Sequence, residues 1–238
     1  MGMQTIGLLG GMSWESSLEY YRLINQGVRE KLGGFHSAKS VMVSVDFAEI
    51  EALQLAGEWA QAARCMIDAA RHIERGGGDF LVICTNTMHL MADEVQENIT
   101  IPLLHIADAT AEEIVSQGQR RVGLLGTRFT MEGDFYRRRL VDDYGLKVLI
   151  PDVDGRKVVH DVIYNELVMG RVNLQSKEAY LRVISDLERR GAQGVILGCT
   201  EIGLLVGQDD VDVLVFDTTR IHATATVEYA LGERSFEV

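Results

Sequence analysis

The chain has 238 residues, 47% of them apolar, and a formal net charge of −12. Its length fits one large α/β domain or two of about 110 residues each, and the acidic balance excludes a nucleic-acid surface, which needs clustered Lys and Arg. The cysteines Cys65, Cys84 and Cys199 form no CxxC, and the six histidines form no HExxH; a disulfide scaffold and a zinc ribbon are thereby excluded, and no metal is expected.

Residues 1–5 run straight into an apolar segment. No charged and apolar leader precedes it, and no run of 18 apolar residues follows, so a cytoplasmic protein is expected. A strand is expected at 5–9, then a glycine-rich turn, Gly7 to Ser13. A helix over 15–31 carries Leu18, Tyr21, Leu23, Ile24 and Val28 and stops at Gly33-Gly34. Next come a strand at 41–45, a helix over 56–74 ending at Gly76-Gly77-Gly78, and strands at 80–84 and 103–106. The second half gives a strand at 122–125, a helix over 129–144 before Gly145, and a strand at 147–150. A helix over 174–190 before Gly191, strands at 195–197 and 213–216, and a last helix over about 220–231 complete it. Short Val/Ile/Leu runs, several of them apolar throughout, read as parallel strands covered on both faces. Their alternation with helices implies βαβ units.

One pattern occurs twice. Ile6-Gly7-Leu8-Leu9-Gly10 leads to Val82-Ile83-Cys84-Thr85-Asn86-Thr87, and Val122-Gly123-Leu124-Leu125-Gly126 leads to Ile196-Leu197-Gly198-Cys199-Thr200-Glu201. Gly7 precedes Cys84 by 77 positions and Gly123 precedes Cys199 by 76. The fold class is therefore α/β, with two similar domains, each a four-stranded parallel sheet flanked by helices. In such sheets ligands bind beyond the carboxyl ends of the strands, where Gly10-Gly11, Cys84, Gly126-Thr127 and Cys199 fall. One thiol per half suggests a facing pair that removes a proton from one side of a carbon and returns one to the other. A helix starting after each cysteine would lower the thiol pKa and bind a carboxylate.

Plainer roles compete at several positions. Packing alone does not explain the duplication of Cys84 and Cys199, whereas Cys65, beside Met66 and Ile67 in a helix, reads as core. The Gly7–Ser13 run fits neither GxGxxG nor GxxxxGK[ST]. Its glycines permit close backbone approach to a ligand, and Ser13 either caps the next helix or touches substrate. Thr85, Asn86 and Thr87 offer polar groups at a helix start, as do Thr200 and Glu201. Thr127 and Thr130 either cap a helix or bind a carboxylate. Arg137-Arg138-Arg139 reads as a solvated face, and His89, His105, His160 and His222 read as structural or supporting.

These residues resemble the aspartate/glutamate racemase superfamily, most closely the cofactor-independent amino-acid racemases of its aspartate racemase branch. The resemblance rests on Gly7-Leu8-Leu9-Gly10-Gly11-Met12-Ser13, Cys84-Thr85-Asn86-Thr87-Met88-His89 and Gly198-Cys199-Thr200-Glu201-Ile202, and spans nearly the whole chain. It implies pseudo-two-fold domains, the first formed by 1–108 with 218–238 and the second by 109–217. It implies an isomerase that needs no cofactor, works on a small amino-acid substrate between the domains, and forms a homodimer. Cys199 would take the Cα proton of the L-isomer and Cys84 that of the D-isomer. Substrate contacts are implied at Met12, Gln54, Thr85, Asn86, Thr87, Thr127 and Thr200, and at a lysine after the sixth strand, for which Lys157 lies nearby. Aspartate, glutamate and broader substrates all fit. The alternatives are a hydantoin racemase, a maleate cis-trans isomerase, and a non-catalytic two-lobed binder of small ligands.

Overall fold

A computed structural model describes residues 2–236. The chain forms two compact units, Met1–His105 with His222–Val238, and Ile106–Ile221. The first unit runs β1 (Ile6–Gly10), α1 (Trp14–Leu32), β2 (Ser40–Ser44), α2 (Phe47–Ala56), α3 (Trp59–Arg75), β3 (Phe80–Ile83), α4 (Ala92–Gln96) and β4 (Leu103–Leu104). The second runs α5 (Ile106–Ser116), β5 (Arg121–Gly126), α6 (Arg128–Glu132), α7 (Asp134–Arg138), β6 (Lys147–Leu149), α8 (Val153–Asn165), α9 (Leu174–Arg189), β7 (Gly194–Gly198) and β8 (Leu214–Asp217). The last helix, α10 (Thr218–Leu231), starts in the second unit and belongs to the first from His222 onward.

All eight expected strands form. The two sheets have the same parallel order, β2-β1-β3-β4 and β6-β5-β7-β8. The two central strands of each are buried along nearly their whole length, which is why they read as unbroken apolar runs. In the first unit Leu9, Leu81 and Ile83 pack against Ala63, Met66, Ala70 and Ile73 of α3 and its neighbours. In the second, Leu125, Val195 and Leu197 pack against Val159 and Ile163 of α8 and Tyr180, Ile184 and Leu187 of α9. The opposite face of that sheet packs on Ile106, Ala107, Ala111 and Ile114 of α5. The helix N-terminus at α1 is capped as its sequence asks: the Ser13 hydroxyl accepts from the Ser16 amide at 3.3 Å.

One expected helix starts later than expected and another is broken. The helix expected over 56–74 forms as α3 but starts at Trp59, because Ala56 ends the preceding helix. Gly57 adopts φ 72° and closes α2 with its amide on Gln54 and Leu53 carbonyls, and α3 starts at Trp59. The 129–144 helix breaks at Gly133, whose backbone is extended (φ −69°, ψ 142°). It continues as α7 and a single π turn, Arg139–Asp143. That turn is anchored by Arg139, whose guanidinium makes paired bonds of 2.6 and 2.9 Å to the Asp108 carboxylate.

His222 locks the C-terminal helix into the first unit. Its Nε2–H donates to the Leu104 carbonyl at 3.0 Å, which leaves Nδ1 to accept from the Tyr20 hydroxyl at 2.8 Å. The ring is fully buried and its pKa is pushed down to about 4, chiefly by desolvation. The unfolded chain binds this proton near 6.5, so the folded state is favoured in full above about pH 6.5 and loses that advantage as pH falls toward 4. The loss expected from this one ring is about 3 kcal/mol. NMR of the imidazole should find His222 neutral down to pH 5; a midpoint near 6.5 contradicts the burial argument.

Among the described residues, no helix is long and apolar enough to cross a membrane.

Candidate active site

In each unit the glycine turn and the cysteine lie side by side, because β1 pairs with β3 and β5 with β7. In the first unit the Cys84 amide donates to the Leu9 carbonyl at 2.9 Å, and the Ser16 hydroxyl donates to the Cys84 carbonyl at 2.7 Å. The thiol is fully buried, and desolvation pushes its pKa up. Met12, Gln54, Asn86 and Thr87 are buried as well, and Thr85 is half-buried. Gln54 reaches this end of the sheet from α2, its amide donating to Met88 Sδ at 3.0 Å. Met88 lies in the 3-10 turn Thr87–Met91. His89 in the same turn donates Nδ1–H to the Thr85 carbonyl at 2.7 Å and packs edge-on against His105 with ring centroids 4.6 Å apart. The histidine thus braces the Cys84–Thr87 loop from behind.

The glycines of the first turn serve the protein's own packing. A Cβ at Gly10 would lie 2.4 Å from the Ser17 hydroxyl, and one at Gly11 would lie 2.1 Å from the Val45 carbonyl oxygen. The Gly11 amide donates to Ser17 Oγ at 2.8 Å. Close backbone approach, expected toward a ligand, is here met by α1 and by the chain following β2.

In the second unit Thr127 caps α6, its Oγ1 accepting from the Thr130 amide at 3.3 Å and lying 3.2 Å from Thr130 Oγ1. The next residue, Arg128, donates its amide to His160 Nδ1 at 3.2 Å, which ties α8 to the turn. Burial, followed by the Arg128 charge, holds the His160 pKa below its ordinary value. Lys157 stands on α8 with its side chain 73% exposed and paired with Asp161. Cys199 is half-buried and follows β7 directly. Its Sγ donates to Glu201 Oε2 at 3.0 Å, and the Thr200 hydroxyl donates to the same oxygen at 2.6 Å. Desolvation first, and then the Glu201 charge, push the Cys199 pKa well up.

Two expectations change here. The elements after the cysteines are five-residue 3-10 turns, Thr87–Met91 and Thr200–Leu204, not long helices. Neither thiol is therefore lowered by a helix dipole; burial dominates and raises both. The carboxylate of Glu201, read in the sequence as part of a capping group, instead contacts sulfur. The signal for it was the acidic residue two positions after Cys199, where the first half has Asn86 two positions after Cys84.

A thiol at the end of the same strand in two identically ordered sheets is the arrangement against which relatives can be compared. The Asp/Glu/Hydantoin racemase family model matches residues 9–226. A crystal structure of a candidate Asp/Glu racemase from Yersinia pestis is 53% identical to this chain, with a TM-score of 0.91, covering 96% of this chain and 100% of that one. An aspartate racemase homologue from Pyrococcus horikoshii OT3 is 38% identical, with a TM-score of 0.84 over 96% of this chain and all of that one. The broad specificity amino-acid racemase RacX of Bacillus subtilis (strain 168) is 24% identical over 179 residues, 72% of this chain and 74% of RacX. With both cysteine motifs inside the matched span and the two-sheet fold in common, the chain is an isomerase that belongs to the Asp/Glu/Hydantoin racemase family.

Proposed function

We propose that this protein is a cofactor-independent amino-acid racemase in which Cys84 and Cys199 exchange the Cα proton of aspartate, glutamate or a broader set of amino acids. The observation that carries the reading is the repeated placement of a single thiol: Cys84 follows β3 and Cys199 follows β7, each beside the glycine turn of its own sheet. Cys199 takes the Cα proton of the L-isomer while Cys84 protonates the opposite face, and the D-isomer reacts in the reverse sense. Met12, Gln54, Thr85, Asn86 and Thr87 hold substrate near Cys84; Thr127, Thr200 and Lys157 hold it near Cys199. The enzyme works in the cytoplasm as a homodimer.

The energetic difficulty is the Cα–H bond, far less acidic than an ordinary thiol of pKa near 8.5. Burial helps in one respect. A thiolate whose pKa is raised is a stronger base, so the gap to the Cα proton narrows. Placement of the reacting atoms and donors for the developing enolate supply the rest.

Incubation in D2O with a panel of L- and D-amino acids tests the reading. The substrate isomer should lose its Cα proton and appear as the deuterated enantiomer, and thiol alkylation should stop both events. Turnover of hydantoins or maleate with no exchange at any amino acid would favour the related isomerase reactions instead. Tight binding without exchange would favour a binding protein.

A further inference from the structure

We propose that His89 is a positioning residue for Cys84: its ring holds the Thr85 carbonyl, keeps the peptide after the first thiol in one orientation, and so serves the Cys84 half of the reaction and not the Cys199 half. This deepens the racemase reading and rests on it, adding a residue that acts through a loop and not on the reacting carbon.

The segment that carries Cys84 has little regular structure to hold it. β3 ends at Ile83, and the 3-10 turn begins only at Thr87. Across that gap two successive carbonyls are held by side chains. The Ser16 hydroxyl, from α1, donates to the Cys84 carbonyl at 2.7 Å, and His89 Nδ1–H donates to the Thr85 carbonyl at 2.7 Å. A carbonyl only accepts, so the ring hydrogen sits on Nδ1. The peptide bonds here are trans, and in a planar trans peptide a fixed C=O turns the N–H of the next residue to the opposite side. Ser16 thereby sets the Thr85 amide, and His89 sets the Asn86 amide. Without the ring the Thr85 carbonyl loses its donor, and the peptide between Thr85 and Asn86 turns in search of another.

The ring is itself held in place. His89 is only 2% exposed. It meets His105, the residue after β4, edge-on with centroids 4.6 Å apart, and His222 of α10 edge-on at 5.8 Å. His222 cannot give way, because the Leu104 carbonyl and the Tyr20 hydroxyl hold its two nitrogens at 3.0 and 2.8 Å. Two elements of the first unit therefore back the ring, and the ring backs the Cys84 segment. The backbone adds a second tie, since the His89 amide donates to the Asn86 carbonyl at 3.1 Å.

The second half has no such brace. Five positions beyond Cys199, where His89 stands beyond Cys84, is Leu204, apolar and 62% exposed. Its turn is tied by backbone bonds: the Ile202 amide donates to the Cys199 carbonyl at 3.1 Å, and the Leu205 and Val206 amides donate to the Ile202 carbonyl at 2.9 and 3.0 Å. Loss of the His89 donor must therefore act on one thiol. A ring that merely filled space would behave differently: an apolar side chain of similar size would replace it, and whatever harm remained would fall on both thiols alike.

The test compares His89→Leu, which keeps bulk and loses the donor, with His89→Asn, which keeps a side-chain N–H near the place of Nδ1. In D2O at saturating substrate, interconversion by His89→Leu should fall about a hundredfold, and exchange into the D-isomer with it, while exchange into the L-isomer with retained configuration stays within about threefold of native. His89→Asn should recover at least about tenfold of the loss. Equal falls in exchange at both isomers, or native interconversion in His89→Leu, overturn the proposal. Iodoacetamide labelling followed by peptide mass spectrometry gives a reading that needs no substrate. Cys84 should label at least about tenfold faster in His89→Leu, with Cys199 unchanged; an unchanged Cys84, or an equal rise at both, overturns the proposal. NMR of the ring nitrogens in the native protein needs no variant to fold: a His89 hydrogen on Nε2 alone overturns it as well. Selective labelling of Cys84 in a protein that exchanges no amino-acid proton would leave the brace standing and overturn only the racemase reading.

Discussion

Cys199→Ala and Cys84→Ala should each lower interconversion of L- and D-isomers by at least about a thousandfold, ~4 kcal/mol of transition-state stabilisation. The two isomers have equal free energies, so kcat/KM in the two directions must fall together. The asymmetry appears elsewhere, in exchange without inversion. On the proposed mechanism Cys199→Ala keeps the thiol that serves the D-isomer and should still wash deuterium into D-substrate, with retained configuration, but not into L-substrate. Cys84→Ala should do the opposite. Chiral chromatography with mass detection in D2O reads both quantities. Near wild-type interconversion in either variant would end the two-thiol mechanism. Neither substitution should cost much in folding, because alanine keeps the small apolar volume that the buried Cys84 occupies, with an expected loss of about 1 kcal/mol.

The largest expected effect on stability lies at Gly11. Its φ is 96° and an added Cβ would sit 2.1 and 2.5 Å from the Val45 carbonyl oxygen and amide nitrogen. Both are backbone atoms, the amide already donating to the Gly10 carbonyl at 3.0 Å, so neither can rotate aside. Gly11→Ala therefore combines an unfavourable backbone conformation, about 1–2 kcal/mol, with displacement of the segment between β2 and α2. A total of about 3 kcal/mol or more is expected, lowering the thermal midpoint by at least about 6 °C. Gly34→Ala is the control. It also has positive φ, at 56°, but nothing lies within 4 Å of the new methyl, so only the conformational part should remain. Equal losses in the two variants would refute the close-contact argument. Because Met12 follows Gly11, the first substitution should also impair turnover in whatever fraction remains folded.

The strands were legible because each is short and rich in Val, Ile and Leu, and most are closed by glycine or a polar residue. The internal repeat alone places both cysteines at strand ends. Helices were legible where one apolar stripe is long, as in α1 and α9. Periodicity points to neither α2 nor α5. Only Ile50 and Gln54 of α2 are buried, too little to leave a stripe, and the Asp46 cap was the usable signal. In α5 half of the buried positions are alanines, which mark a face weakly. The break at Gly133 follows a tight local path that suits glycine, since a Cβ there would meet the Phe129 carbonyl oxygen at 2.4 Å. The contact of Glu201 with sulfur was not legible for a different reason. An acidic residue at the start of a helical turn is ordinary, and only its 3.0 Å approach to sulfur sets it apart.

The order in which the polypeptide leaves the ribosome gives the discontinuous first unit a further significance. Residues 106–221 are contiguous and can complete their own core during synthesis as a nested insertion. The unit begun earlier must wait. The amide of Gln4 bonds to the Ala230 carbonyl at 2.9 Å, and Phe80 packs with Tyr229 and Phe236. The first sheet is thus finished by residues translated only after the whole of the second unit, so a nascent chain stalled before residue 222 would carry one closed unit and one with its apolar flank still bare.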